Sequence, residues 1–212
     1  MVKYLKNSLI IAVVLAAMIL SVSAKKEEVY KIKFPKGTFF VEAENFIKEK
    51  QTGGQVGFDS RVEASNNKCI LAWNYEGHTL EWKVDVYKKA KYYVGIRYCH
   101  NRSGNAYRKF MIDGKIPNKA FERITLVPTG GWSKSENDWN NIFVSDETGK
   151  PVEVELGFGK HILTIANLGG DGQDGASNFD YIGFFPVGSK TTDMGPANPK
   201  FKEPKKDEEV KK

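Results

Sequence analysis

Histidine and cysteine are scarce in this chain, which limits the metal and nucleophile chemistry open to it. The 212 residues include three histidines and two cysteines. His78, His100 and His161 form no H-x-H or H-E-x-x-H pair, so a histidine-based metal centre is not predicted. Two cysteines without a paired histidine do not make a structural zinc site. The sequence also lacks a G-x-S-x-G nucleophile elbow and a glycine-rich phosphate loop, so no motif indicates an enzyme.

Long blocks of like charge are also missing. The formal net charge is +6, but no run of five or more consecutive lysines and arginines occurs. Nucleic acid is therefore not a predicted partner. The 26 acidic residues supply many carboxylate pairs, and pairs drawn from so large a set do not indicate a catalytic site.

The N-terminus has the pattern of a secretory signal peptide. Two lysines precede an apolar run from Leu9 to Leu20, and a V-S-A triplet ends at Ala24. We predict a signal peptide over residues 1–24 and hence a secreted protein, extracellular or periplasmic. The apolar run is short for a membrane span, although an uncleaved anchor is the alternative. We expect no lipid anchor and no stable membrane insertion after cleavage.

Export bears on how Cys69 and Cys99 are interpreted. Both lie in segments with strand character. In an oxidising compartment they could form one disulfide between neighbouring strands. The alternative is two buried free thiols.

Short runs of β-branched and aromatic residues, bounded by Gly, Asn, Asp and Pro, predict an all-β fold. The segment from Leu80 to Val86 alternates apolar and charged side chains, as expected of a strand with one buried face. Many such strands with turns about every ten residues predict a β-sandwich or jelly roll. The predicted strands are 39–44, 69–73, 78–86, 91–99, 107–112, 121–127, 141–144, 151–156, 161–166 and 178–185.

Composition divides the rest of the chain. Residues 25–37 are charged and are predicted to be a loose lead-in, and residues 38–187 are predicted to form a single sandwich domain. Residues 188–212 are rich in Pro, Lys and Glu, and we predict a disordered charged tail there.

Two glutamates near the start of this domain suggest a cation. Glu42 and Glu44 are two apart on a predicted strand, so their side chains should leave the same face. Adjacent carboxylates repel each other unless a cation lies between them, and calcium prefers such oxygen ligands. Because first and last strands of sandwiches often pair, Asp180 could join them. The alternative is two solvated glutamates.

Five motifs, in order, carry a family resemblance: V-E-A-E-N-F, G-H-T-L-E-W, K-Y-Y-V-G-I-R-Y, G-K-H-I-L-T-I and S-N-F-D-Y-I-G-F. Together they resemble the carbohydrate-binding modules of families 6 and 35, and the resemblance covers residues 39–186. It implies a galactose-binding-like β-jelly roll that binds a polysaccharide or glycan without catalysis and is stabilised by calcium. Separate carbohydrate-active enzymes are further expected partners.

The resemblance also implies site residues. The calcium ligands would be Glu42, Glu44 and Asp180, and the sugar-binding residues would be Trp73, Trp132 and Asn178. The chemistry is reasonable, because a flat aromatic ring can cover the apolar face of a pyranose and an amide both donates and accepts hydrogen bonds. Alternatively, Trp73 belongs to the core and Asn178 caps a turn.

Three further residues are expected at the rim of the site: Tyr75, Asp171 and Asp174. Strand alternation puts Asn178 and Asp180 on one face, opposite Phe179 and Tyr181, so their separate roles require a bend in the chain. A secreted, calcium-stabilised sugar-binding module is our leading hypothesis. The alternatives are a structural or adhesion domain without sugar binding and, less favoured, a small glycan-active hydrolase or lyase.

Overall fold

Twelve short strands make up the regular structure of residues 31–198, the part of the chain that the computed structural model describes. The strands are β1 (Phe39–Glu42), β2 (Lys48–Lys50), β3 (Gly57–Asp59), β4 (Cys69–Leu71), β5 (Thr79–Val86), β6 (Ala90–Cys99), β7 (Ala106–Ile112), β8 (Ile124–Leu126), β9 (Asn140–Phe143), β10 (Glu153–Leu156), β11 (Gly159–Gly170) and β12 (Asn178–Pro186). Single 3₁₀ turns occupy Ala43–Asn45, Ser65–Asn67, Lys119–Phe121 and Thr191–Met194.

The strands form two antiparallel sheets, as predicted for a β-sandwich. The first sheet has the order β10-β6-β12-β4-β3, with β1 also paired to β12 and β9 also paired to β6. The second sheet has the order β2-β5-β11-β7-β8. The first and last strands, β1 and β12, are therefore neighbours, as the sequence led us to expect.

The core lies between the sheets and follows from strand alternation. Leu80, Trp82 and Val84 on β5 are buried while the residues between them are not. On the neighbouring β11, Leu163 is paired with Trp82 and Ile165 with Leu80, and both are fully buried. Period-two alternation thus builds a continuous apolar face across the second sheet.

Strand ends differ from the predictions where the local sequence carries little pattern. β2 and β3 were not predicted, because K-E-K and G-F-D have no apolar alternation. The predicted strand at 121–127 shortens to Ile124–Leu126 after a 3₁₀ turn, and β11 continues to Gly170 beyond its predicted end at 166.

Segments predicted to be loose form an outer layer on the first sheet. Ile32 and Phe34 from the lead-in, together with Met194 from beyond β12, pack onto a cluster that includes Tyr181 and Phe185. The prediction of disorder from residue 188 is therefore wrong for residues 188–198, because Met194 is fully buried there. We call residues 187–198 the C-terminal strap.

The predicted signal peptide, residues 1–24, and the remaining tail, residues 199–212, lie outside the described residues. Within residues 31–198, no helix has the length and hydrophobicity that a membrane-spanning segment requires.

Candidate functional site

Three loops meet at one end of the sandwich and form the candidate site. They join β6 to β7, β8 to β9 and β11 to β12. Strand register brings them together, because Cys99 is paired with Asn178 and Ala106 is paired with both Leu126 and Gly170. We call this the loop end.

Trp132 and Asn178 come together at the loop end. The Asn178 side-chain amide donates a hydrogen bond to the Trp132 carbonyl at 3.3 Å. Trp132 is half-buried, whereas Asn178 is only 3% exposed. Trp132 therefore keeps part of its surface open to solvent, and Asn178 holds its backbone carbonyl.

The loop that carries Trp132 is held in shape by polar contacts of its own. The Ser133 amide donates to the Asp138 carboxylate at 2.8 Å, and the Asp138 amide donates to the Ser133 hydroxyl at 2.9 Å. A side chain at Gly131 would collide with this carboxylate, so the close approach requires glycine. Polar residues of this loop therefore stabilise the conformation of the loop itself.

An exposed ion pair lies next to Trp132, with its guanidinium over one face of the Trp132 ring. The Arg102 guanidinium donates to Asp174 at 2.6 Å, and its central carbon is 5.9 Å from the centre of the Trp132 ring. The side chains of Arg102 and Asp174 are 40% and 39% exposed. Here an aromatic face, a fork of donors and a carboxylate acceptor are within reach of one ligand.

Asp171 lies in the β11–β12 loop, as Asp174 does, and ties this loop to the β6–β7 connection. It accepts hydrogen bonds from the Tyr107 hydroxyl at 2.6 Å and the Asn105 amide at 3.2 Å. The Tyr107 hydrogen bond lowers the pKa of Asp171. Asp171 and Asp174 thus lie at the loop end, where the sequence predicted a rim. Tyr107 had no recognisable signal in the sequence.

Trp73 is not available to a ligand in this structure. It is 0% exposed and packs against Trp82, Phe179 and His78. The expectation that its ring flanks a sugar is therefore corrected, since neither face is open. β4 ends at Leu71, and Ala72 has a φ of +60°, so Trp73 leaves the strand's alternation.

A buried arginine occupies the face of Trp73 instead. The Arg108 guanidinium carbon is 4.7 Å from the centre of the Trp73 ring, and Arg108 donates to the Gly175 carbonyl at 2.8 Å and to Asn167 Oδ1 at 2.9 Å. Burial lowers the pKa of Arg108 to about 9. This side chain fixes the β11–β12 loop to the core, a role that sequence reasoning missed.

Tyr75 lies at a different pair of loops. It is 45% exposed, and its ring packs on Gly53 and Gly54, where a side chain at Gly53 would collide with it. No contact between Tyr75 and Trp132 is seen among the described residues. Tyr75 therefore stands apart from the group formed by Trp132, Arg102 and Asp174.

The acidic residues predicted to hold calcium lie near one another around the end of β1. β1 ends at Glu42 and Glu44 is in a 3₁₀ turn, so strand alternation is not what relates them, contrary to the prediction. Glu42 accepts a hydrogen bond from the Ser65 hydroxyl at 2.8 Å. Glu42 Oε2 and Glu44 Oε2 are both buried without a hydrogen-bond partner.

These two glutamates are electrostatically strained. Burial raises the pKa of Glu42 to about 7, with a smaller contribution from the charge of Glu44, and burial also raises the pKa of Glu44. Partnerless buried carboxylate oxygens are costly, and a hard cation is the ligand whose chemistry fits them.

Asp180, the predicted third ligand, is already engaged by the protein. Its Oδ1 accepts from the Ser65 amide at 2.7 Å, and its Oδ2 accepts from Arg97 Nε at 2.8 Å, with both side chains fully buried. Within residues 31–198, no set of three or more His, Cys, Asp or Glu side chains is arranged closely enough to hold a metal.

A β-bulge separates the roles of Asn178 and Asp180. The pairing of β12 with β6 shifts register between Phe179 and Tyr181, so Asp180 has no partner on β6. Phe179 belongs to the core between the sheets, while Tyr181 belongs to the outer cluster. The expectation that these two aromatics share a face is wrong, because the extra residue reverses the alternation.

Cys69 and Cys99 are buried free thiols. They lie on β4 and β6, and β12 runs between these strands. They are therefore not on neighbouring strands, and in this structure they are the two free thiols that the sequence left as the alternative to a disulfide. Burial raises the pKa of both thiols.

Solved structures share this architecture. A family 35 carbohydrate-binding module from Clostridium thermocellum superposes with a TM-score of 0.53 at 18% identity, covering 71% of this chain and 98% of that one. The C-terminal family 6 module of a marine laminarinase from Zobellia galactanivorans gives a TM-score of 0.50 at 14% identity, covering 70% and 98%.

The chain has the fold of these carbohydrate-binding modules. The resemblance seen in the sequence motifs is thereby confirmed at the level of the fold. The same fold matches 12% of a Listeria monocytogenes protein solved in complex with glucose, magnesium and calcium, with a TM-score of 0.51 at 21% identity over 69% of this chain. No protein-family model matches the sequence, and no curated protein matches it.

Proposed function

We propose that this protein is a non-catalytic carbohydrate-binding domain whose site is the loop end. The observation that carries the proposal is the half-buried Trp132 side chain at the loop end, next to the exposed Arg102–Asp174 pair whose guanidinium lies over one face of its ring. An aromatic ring covers the apolar face of a pyranose, and the guanidinium and carboxylate provide donors and acceptors for its hydroxyls. The carbohydrate-binding-module fold supports the same conclusion.

Asn178 contributes to this proposed site from behind. Its amide is bonded to the Trp132 backbone and it is the first residue of β12. Asn178 therefore fixes the position of Trp132 relative to the sheet. The hydrogen-bonding groups of its side-chain amide that Trp132 does not use would be available to a ligand that reaches past the ring.

We propose further that calcium stabilises the domain at Glu42 and Glu44. Two buried carboxylate oxygens without partners support this proposal, because a bound divalent cation would offset both burial and mutual repulsion. Asp180 is the candidate third carboxylate, in contact with Ser65 and Arg97 when no cation is bound. The predicted signal peptide supports a place outside the cytoplasm, where calcium is abundant.

A polysaccharide panel tests the proposed function. Wild-type protein should bind at least one soluble polysaccharide or immobilised glycan, and Trp132→Ala should weaken that binding about tenfold or more with unchanged thermal stability, because the stacking surface is lost. Phe58→Ala removes another exposed aromatic, on β3, and should bind as wild type.

Three results would contradict the proposal. The first is no binding of the wild-type protein to any carbohydrate with calcium present, which would favour a structural or adhesion domain. The second is equal binding by wild type and Trp132→Ala, which would place a sugar site elsewhere. Release of shorter products from any polysaccharide would contradict a non-catalytic role.

A further inference from the structure

Two large aromatic side chains project into solvent at the end of the sandwich opposite the loop end. Tyr87 is 83% exposed and Phe158 is 78% exposed, more than the other exposed large hydrophobic residues of the described chain. Tyr87 directly follows β5 and Phe158 directly precedes β11. Because Val86 is paired with Gly159, the two aromatics are adjacent across this strand pair. We call residues 87–89 and 157–160 the aromatic tip.

The space around the Phe158 turn is open. Side chains added at Gly157 and Gly159, on either side of Phe158, would meet nothing within 4 Å. Phe158 itself is 78% exposed, so little of its surface is covered by the protein. Binding sites for small ligands are concave and enclose most of the ligand, so this surface suits a broad, deformable partner better than a single sugar unit.

Lysines flank the two aromatics. The two turns contain Lys88, Lys89 and Lys160, all exposed, and no Asp or Glu. Lys89 contacts Glu155 at 2.8 Å, and Lys160 is the strand partner of Asp85. Such exposed pairs are weak in water, so these ammonium groups can exchange their partners for phosphates.

We propose that the aromatic tip is a contact surface for an anionic lipid bilayer. Aromatic side chains concentrate at the level of lipid headgroups, and lysines beside them are attracted to anionic lipids. Phe158 and Asp171 flank the two ends of β11, whose twelve residues span roughly 35–40 Å. A protein held at the aromatic tip would therefore present its loop end away from the membrane.

Vesicle co-sedimentation tests the proposal. The full chain is mixed with vesicles of phosphatidylcholine containing phosphatidylserine, and with vesicles of phosphatidylcholine alone. Wild type should sediment with the anionic vesicles more than with the neutral ones. The double variant Tyr87→Ser, Phe158→Ser should bind them about tenfold or more weakly, with an unchanged thermal melt. Lys88→Ser with Lys160→Ser should remove most of the preference for phosphatidylserine.

The matched control is Ile47→Ser, which removes an exposed apolar side chain outside the tip and should bind as wild type. All variants keep the same N-terminal residues, so any membrane affinity of that segment is common to them.

Failure of wild type to bind vesicles, or equal binding by the double variant, would overturn the proposal. Concentration-dependent dimers that the double variant abolishes, without vesicle binding, would make the tip a self-association surface and would also overturn it. Polysaccharide binding should be unchanged in the double variant.

Discussion

Trp73 and Trp132 differ in exposure: Trp73 is fully buried, whereas Trp132 is half-buried and belongs to the proposed sugar site. Trp73 follows an apolar strand, and Trp132 lies in a polar loop. The sequence alone does not decide whether either ring is buried or exposed. The structure buries Trp73 under Arg108 and leaves Trp132 beside an exposed ion pair. The positive φ of Ala72 is what turns Trp73 inward, and no local propensity of alanine predicts it.

Trp73→Phe should therefore act on stability. The change removes the indole hydrogen bond to the His78 carbonyl, which is 3.3 Å long, and part of the contact with Arg108. We expect a loss of about 1–3 kcal/mol in the free energy of unfolding, measured by urea denaturation, with polysaccharide affinity unchanged. Lower affinity at unchanged stability would show instead that Trp73 reaches the ligand.

Glu42 should make calcium-free stability depend on pH. Its pKa in the folded protein is raised to about 7 from an ordinary value of 4.5. Between these values the folded state binds the proton more tightly than the unfolded state, so stability falls as pH rises from about 4.5 to 7. Because Glu42 is still partly screened by solvent, we expect the free energy of unfolding in chelator to fall by about 1–2 kcal/mol over this range.

Calcium should reverse this effect, because it favours the ionised carboxylates. Urea unfolding across this pH range, with calcium and with chelator, measures both slopes. Glu42→Gln is the control, and its pH slope of stability should be the same in calcium as in chelator. An identical pH slope for wild type and Glu42→Gln in chelator would show that Glu42 does not titrate as described. No stabilisation of wild type by calcium at neutral pH would contradict the metal proposal.

At the scale of elements, the C-terminal strap ties the outer face of the first sheet to the loop end. Pro196 O accepts from Arg97 at 2.6 Å, and Asn198 donates to the Thr129 carbonyl at 2.7 Å and to the Trp139 carbonyl at 2.7 Å. Thr129 and Trp139 flank the segment that carries Trp132. The strap thus braces the loop that carries Trp132 as well as covering the outer cluster.

Met194→Ala tests the strap's share of the stability. Met194 is fully buried against Phe143, Tyr181 and Phe185, so its truncation should cost about 2–4 kcal/mol in the free energy of unfolding. Thr192→Ala, at an exposed position of the same turn, should change the free energy by less than about 0.5 kcal/mol. Equal stability of the two variants, measured by urea denaturation, would show that the strap is loosely held.

The strands that the sequence predicted well are those with a clear period. β5 and β6 were placed within one residue, because apolar and polar side chains alternate or β-branched and aromatic residues run together. A bend between Asn178 and Asp180 was expected only from the family resemblance. Strand alternation alone does not reveal the bulge, because it depends on partners distant in sequence, Ser65 and Arg97. The strap was not predicted because its composition is polar. It is held by one buried apolar side chain, Met194, and by hydrogen bonds to backbone carbonyls, which leave no pattern in the sequence.

At the scale of the whole molecule, the sandwich separates its features between two ends. Trp132 and the pair formed by Arg102 and Asp174 lie at the loop end, and Tyr87 and Phe158 lie at the opposite end. The all-β class, the pairing of first and last strands and the sugar-binding-module fold followed from the sequence. Which tryptophan faces solvent did not, since it depends on how the loops pack once both sheets have formed.

The most direct test of the central claim is a nuclear magnetic resonance titration of the protein with a polysaccharide fragment that it binds. We predict that the largest shift changes include the Trp132 indole, the Asn178 side-chain amide and the Arg102 guanidinium, with neighbouring backbone amides of the three loops. The Trp73 indole should change little. Shift changes confined to the outer faces of the sheets or to the aromatic tip, with the Trp132 indole unaffected, would contradict the account.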